Sequence, residues 1–351
     1  MTGRQRIVKV LAGRPVDRPP VLPMIHAGLA GHFNVSLGRF FTRPEVMARV
    51  MIEGYRRFRF DGVQLSLGVT GEAEALGAAV EQPPDAAPVL KQHLLADPAD
   101  LDALRSRYPA AAGRMPLFFA AVDEVVREIG QEAFVLATLR GPLLIASQLR
   151  GVEDVLIDMI ERPRVVGQIL EFAAEVASKL AQVLLGTGAH GLLLGEATCS
   201  PNFISPAMYR QLVLSHHSRL VGRLKQMGWP CVGLHVCGNI TPIVEDMIST
   251  GIDFMDVDYQ VPADRAIALA QHRVALRGNL DPSSVLRFGT VDEVRSQTRA
   301  VCRSAGQARW IMSSGCDIPP DTPAENLAAF VDAVHATHEP GGKSPGTPHL
   351  C

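Results

Sequence analysis

The chain predicts a (β/α)8 barrel on three observations. Short runs rich in Val, Leu and Ile recur eight times, most of them are followed by a longer stretch with helical periodicity, and 351 residues suffice for one large barrel. Continuous apolar runs suit strands covered on both faces, and their alternation with helices calls for right-handed βαβ units.

The candidate strands, in order, are "PPVLPMIHA" (19–27), "DGVQLSLGV" (61–69), "FVLATLRGP" (134–142), "HGLLLGEA" (190–197), "CVGLHVCGN" (231–239), "IDFMDVDY" (252–259), "RVALRGNL" (273–280) and "RWIMSSGC" (309–316). Three helices between them carry legible signals. "TRPEVMARVMIEGYRRF" (42–58) offers Thr42 as an N-cap and Pro44 in the first turn. "SPAMYRQLVLSHHSRLVGRLKQMG" (205–228) opens on Ser205 and Pro206 and stops at Gly228, with His216 and His217 read as surface residues. "TPAENLAAFVDAVHATH" (322–338) closes the barrel. The stretch 70–133 is too long for one crossover helix and is expected to be an insertion between the second and third strands, while 339–351 reads as a flexible tail in which Cys351 has no catalytic part. "HRVALRG" and "YRRFRF" read as solvated helix faces. A single barrel domain over 1–338 follows.

With 47% hydrophobic and 20% charged residues and a net charge of −2, composition points to a soluble globular protein and away from nucleic acid. No apolar run approaches the roughly 20 residues needed to cross a bilayer, and the first residues lack the apolar core of a signal peptide. A cytoplasmic location is expected, where the six scattered cysteines stay reduced and free to bind metal.

In such barrels active sites lie at the C-terminal ends of the strands. His235 and Cys237 stand two apart near the end of the fifth candidate strand, so their side chains project to one side. Cys316 ends the eighth, Glu196 the fourth, and Asp256 and Asp258 the sixth. One imidazole nitrogen and two thiolates make an open zinc site with a position left for water, a carboxylate or a substrate sulfur. On spacing alone a second reading stays open, that of His and Cys residues satisfied within a core.

With these residues placed, the chain resembles the uroporphyrinogen decarboxylase superfamily, and within it the methylcobamide:coenzyme M methyltransferase branch. The likeness runs over roughly residues 5–337 and is carried by "PVLPMIHAG", "FDGVQLSLGVTGEAEALG", "GPLLIAS", "LHVCGNITPIVEDMISTGIDFMDVD", "GNLDPSSVLRFGT" and "SSGCDIPPDTPAENLAAFV". The resemblance implies a zinc site of the form H-x-C with a distant Cys, which His235, Cys237 and Cys316 match position by position. Glu196 is the first candidate for a fourth ligand and Asp258 the second. The decarboxylases resemble P-V-W-x-M-R-Q-A-G-R near the first strand, where two arginines hold porphyrin carboxylates; here Ile25 and Leu29 stand at those positions, which removes the bidentate partners of a polyanion.

The resemblance implies a zinc-dependent methyltransferase that moves methyl between a corrinoid, as methylcobamide, and a thiol held as thiolate on the metal. The reverse reading is a demethylase that takes methyl from a thioether, methyl ether or methyl halide to the corrinoid. A decarboxylase and a non-catalytic relative rank below both. No Asp-x-His-x-x-Gly corrinoid-attachment motif occurs, so the corrinoid is expected on a separate protein or free, docking at the rim of the barrel. Among supporting residues, Asn279 and Asn239 are candidates to orient a ligand, against turn roles for each. His26 is a candidate substrate contact, Arg140 a partner for an anionic acceptor, and Asp281 a helix cap.

Overall fold

The computed structural model describes residues 1–106 and 112–338; the expected tail and Cys351 lie outside them. Seven parallel strands run in the order β1 (Gly62–Leu65), β4 (Phe134–Arg140), β5 (Gly191–Gly195), β6 (Val232–His235), β7 (Phe254–Val257), β8 (Ala275–Leu280) and β9 (Trp310–Ser314). The numbers missing from that order belong to a small hairpin of β2 (Val80–Glu81) and β3 (Val89–Leu90). Helices connect successive barrel strands, as the alternation of runs requires, and the architecture is the TIM barrel that the sequence predicts.

The first predicted strand is reduced to one bridge, Val21 with Met312. Pro19, Pro20 and Pro23 lack the N–H donors of a ladder, and the Val21 N–H donates instead to the Asp61 carboxylate at 2.7 Å. What remains still closes the barrel. The Met312 N–H donates to the Pro20 carbonyl, the Leu22 N–H to the Met312 carbonyl, and the Asp61 N–H to the Val21 carbonyl, which joins β9 to β1 through this segment.

The stretch 70–133 holds the helix Gly71–Ala75, the hairpin, the short helix Leu101–Ser106 and the helix Met115–Ile129. Thr42 is not the N-cap of the helix Pro44–Phe58; it ends the preceding helix Leu37–Thr42, its hydroxyl donating to the Gly38 carbonyl. Ser205 does cap its helix, its hydroxyl accepting from the Met208 N–H ahead of Pro206. Asp281 caps the turn after β8, accepting from the N–H groups of Ser283 and Ser284. Among the described residues no helix is long and apolar enough to cross a membrane.

The barrel interior is graded from end to end. At the N-terminal end, Ile7 and Val10 of the helix Gly3–Leu11 pack with Leu22, Phe134, Leu136, Leu193, Phe254, Ala275 and Ile311 as an apolar plug. Two residues further along the strands, the same inward register brings Gln64, Thr138, Asp256 and Arg277, all buried, into one polar layer. "HRVALRG" is therefore not a solvated helix face: Arg277 lies on β8 with no exposed surface. Its guanidinium makes two bonds of 2.7 Å to the Asp256 carboxylate and one to Gln64 Oε1, while Gln64 Nε2 donates to Thr138 Oγ1. Each charge in the layer is paired, which is what lets it persist in a dry interior.

Candidate functional site

Above the polar layer, His235 closes β6 and rests on it. Its Nδ1–H donates to Asp256 Oδ2 at 2.9 Å, so Nε2 is the nitrogen left for the mouth of the barrel. Nε2 lies 3.1 Å from the Cys237 sulfur, which lies 3.8 Å from the Cys316 sulfur. The donor atoms of the three residues all fall within 4.8 Å of one another.

The loops that deliver the two sulfurs are tied to β7. Gly238, with φ of 85°, turns the chain sharply after Cys237, and its N–H donates to Asp258 Oδ2 at 2.8 Å. Gly315 precedes Cys316 and lies so close to the backbone of Asp258 and Tyr259 that a Cβ there would sit 2.4 Å from the Tyr259 nitrogen.

Electrostatics favour an anion among the sulfurs. Burial works against a charge on His235, but Asp256 raises its pKa to about 10. The Cys316 thiol is drawn down to about 5, first by its hydrogen bond with Cys237 and then, against burial, by the His235 ring. Cys237 is pushed up by sharing that hydrogen with Cys316 and by burial. Burial also raises Asp256, yet Arg277 and His235 hold it below the ordinary carboxylate value.

The donor set fits zinc. Two sulfurs on a tetrahedral ion at about 2.3 Å stand roughly 3.8 Å apart, which is the Cys237 to Cys316 separation here. The Asp256 to His235 hydrogen bond is the partner that fixes the ring of a metal-binding imidazole. Zinc would be held by His235 Nε2, Cys237 Sγ and Cys316 Sγ.

Glu196 does not join them. Its carboxylate accepts from the Leu143 N–H at 3.0 Å, the Leu144 N–H at 2.8 Å and His217 Nε2 at 2.6 Å, so it caps the N-terminus of the helix Pro142–Arg150. A Cβ on Gly141 would collide with that carboxylate at 2.4 Å, so glycine there keeps it seated. Glu196 belongs instead to a second, fully buried group with Cys199 and His217. His217 is no surface residue, since its Nδ1 also meets the Tyr209 hydroxyl at 3.0 Å, and His216 is buried beside it. Glu196→Gln should lower stability by about 1.5–3 kcal/mol through the lost charge-assisted bonds and leave bound zinc unchanged; denaturant melts with metal analysis check both parts.

Asp258, the second candidate, spends its oxygens on the N–H groups of Gly238 and Gln260 and so positions the Cys237 loop. Asn239 is exposed, and its Oδ1 accepts from the Thr241 N–H, as a turn residue does. Asn279 is buried; Nδ2 donates to the Val261 carbonyl at 2.7 Å and Oδ1 has no partner. His26 is buried too, with Nε2 3.0 Å from Asp317 Oδ1 and Nδ1 without a partner. Arg140 ends β4, where Nε donates to the Gly68 carbonyl and Nη2 to the Ser66 hydroxyl. Its backbone N–H donates to Glu72 Oε1 at 2.7 Å, and its charge acts on the buried Glu72 and on Asp317. Arg277, Gln64 and Asp317 were missed by sequence reasoning; an arginine at inward register within an apolar strand was the signal for the first.

The uroporphyrinogen decarboxylase (URO-D) family model matches residues 2–337. A methylcobamide:CoM methyltransferase, MtaA, from Methanosarcina barkeri is 25% identical over 344 residues, covering 95% of this chain and 97% of its own. A uroporphyrinogen decarboxylase from Nostoc punctiforme is 24% identical over 351 residues, covering 96% and 98%. A solved methyltransferase from Methanosarcina mazei superposes with a TM-score of 0.87 at 24% identity, covering 96% of this chain and 99% of that one.

Proposed function

Because the chain belongs to the uroporphyrinogen decarboxylase family, within which its relatives include methyltransferases, we propose that it is a zinc-dependent enzyme that moves a methyl group from a corrinoid to a thiol. The observation that carries this reading is the His235, Cys237 and Cys316 cluster at the barrel mouth, with Asp256 behind the histidine. When bound, zinc supplies the Lewis acidity that keeps a coordinated substrate sulfur deprotonated at neutral pH.

The chain's own residues do the rest. Asp256 holds the His235 ring with Nε2 outward, Asp258 fixes the turn that presents Cys237, and Gly315 lets Cys316 approach against β7. The thiol gives up its proton to solvent, a carbon–sulfur bond forms, and the cobalt–carbon bond breaks with its electron pair left on cobalt. Such a displacement needs the sulfur in line with the methyl carbon, which a substrate seated at the strand ends provides.

Decarboxylation of a porphyrinogen ranks below this reading. Ile25 and Leu29, at the positions where the decarboxylases carry a pair of arginines, are buried in the apolar core and present no charge to a polycarboxylate. The rim suits a corrinoid carrier: Phe203, Tyr259 and Phe288, in the loops after β5, β7 and β8, are 55%, 45% and 70% exposed. The free thiols Cys199, Cys231, Cys237, Cys302 and Cys316 accord with a reducing compartment, and the proposal places the enzyme in the cytoplasm.

Anaerobic methylcob(III)alamin mixed with zinc-loaded protein and a panel of small thiols should convert to cob(I)alamin, read from its visible spectrum, only when an accepted thiol is present. A spectrum unchanged with every thiol, both with free methylcobalamin and with a methylated corrinoid protein, would overturn the reading.

A further inference from the structure

At the end of the barrel opposite the metal cluster, a cavity of about 620 Å³ opens to solvent beside the segment 13–19 and the helix Val291–Ala305. Its wall includes Val10 of the apolar plug and Trp310, which begins β9, whereas Cys316 lies beyond the other end of that strand. The volume falls in the range of small-molecule sites, roughly 300–1,000 Å³.

Charge on this wall is one-sided. Arg14, Arg18, Arg299, Arg303 and Arg309 line it, and Asp17 is the acid among the lining residues. Both Asp17 oxygens are spent on Arg6, at 2.7 and 2.8 Å, and Arg18 donates to Asp61 at 2.6 Å. Arg6, Arg18, Asp17 and Asp61 together cancel. The guanidinium groups of Arg14, Arg299, Arg303 and Arg309 are left without a carboxylate among the described residues.

Helix ends account for one of these four charges. The helices Gly3–Leu11 and Val291–Ala305 both finish at the cavity, and the carbonyls of a helix C-terminus attract cations. Arg309, half-buried, answers that field, donating to the carbonyls of Val10, Leu11 and His272. Arg14, Arg299 and Arg303 are exposed, and their side chains make no such bond. Arg299 and Arg303 stand four apart on one helix, an arrangement of like charges that costs about 0.2–0.5 kcal/mol. A bound anion would remove that repulsion. Guanidinium groups hold phosphate oxygens through paired, charge-assisted hydrogen bonds, and four of them facing one cavity call for an anion of several charges.

From this arrangement we infer that the cavity binds a polyphosphate anion, its phosphates received by Arg14, Arg299, Arg303 and Arg309, at a site separate from the metal cluster. A nucleoside triphosphate would lay its organic part on Pro15, Val16, Ala308 and Ala336, which line the rest of the wall. An inorganic polyphosphate would use the arginines alone. Binding here does not depend on methyl transfer.

Calorimetry on the full chain with ATP, inorganic triphosphate and inorganic phosphate tests the site. ATP and triphosphate should bind saturably, one per chain, and about 10-fold or more tightly than phosphate. ATP binding more tightly than triphosphate identifies a nucleotide as the ligand, and equal affinities identify an inorganic polyphosphate; both support the site. Arg299→Glu combined with Arg303→Glu should weaken both ligands about 10-fold or more, with circular dichroism and bound zinc unchanged. Arg49→Glu combined with Arg56→Glu, exposed on the helix Pro44–Phe58, should leave both affinities as they were. The absence of saturable binding by either polyphosphate, or binding that survives the Arg299 and Arg303 reversal, overturns the inference. So does an equal loss in the Arg49 and Arg56 variant, which would reveal a general attraction of charge.

Discussion

Cys316→Ala is expected to lose stably bound zinc and, with it, methyl transfer, while the barrel stays folded. Cys316 sits in the loop two residues beyond β9, and its sulfur is part of the cluster with His235 and Cys237. A structural zinc site is worth about 10–16 kcal/mol over its four ligands, so one thiolate accounts for roughly 3 kcal/mol or more, on the order of a hundredfold or greater in affinity. Its side chain is outside both apolar clusters, so the packing that holds β9 is untouched. Metal content after dialysis against a weak chelator, read beside circular dichroism, separates the two effects. Undiminished zinc in a folded variant would remove Cys316 from the site.

The larger effect on stability is expected from Asp256→Asn. The carboxylate pairs with Arg277 and accepts from His235, and both it and Arg277 are shielded from solvent. Removing the negative charge leaves a guanidinium buried without its counter-charge, a change that costs about 3–5 kcal/mol. His235 loses the acceptor that fixes its ring, and zinc affinity should drop about 10–100-fold. Pairing Asp256→Asn with Arg277→Met should recover much of the stability, since the stranded charge is gone, but not the zinc affinity, since His235 still lacks a carboxylate. Denaturant midpoints and competitive zinc titration measure the two quantities independently. A single variant as stable as the unmodified protein would show that the ion pair under the site is not holding the floor in place.

The candidate metal cluster was partly legible in the sequence: the short H-x-C spacing and a cysteine 79 residues on pointed to it, spacing alone left a core reading open, and the family resemblance favoured the metal. His235 and Cys237 share a strand end, and Cys316 ends another, so the barrel rule alone brings them to one mouth. Glu196 obeys the same rule and departs from it. It follows β5 next to β6, yet the unsatisfied N–H groups at the start of the helix Pro142–Arg150 and a histidine eight residues beyond Tyr209 capture its carboxylate. That competition depends on how a helix and two loops dock, which strand position does not encode. Arg277 was read as surface because charge in a short basic stretch is usually solvated; its partners Asp256 and Gln64 come from strands 21 and 213 residues away in the chain.

What the sequence determined by itself is the period of the apolar runs, hence the strands, the parallel barrel and the end at which chemistry collects. The segment 19–27, read as a strand, is reduced in the structure to a bridge because Pro19, Pro20 and Pro23 withhold N–H groups from a ladder. Tertiary structure alone decided which polar side chains satisfy one another and which are buried without a partner. Backbone periodicity follows from local geometry, whereas the pairing of buried charges and acceptors is settled by desolvation among groups that meet only when the barrel closes.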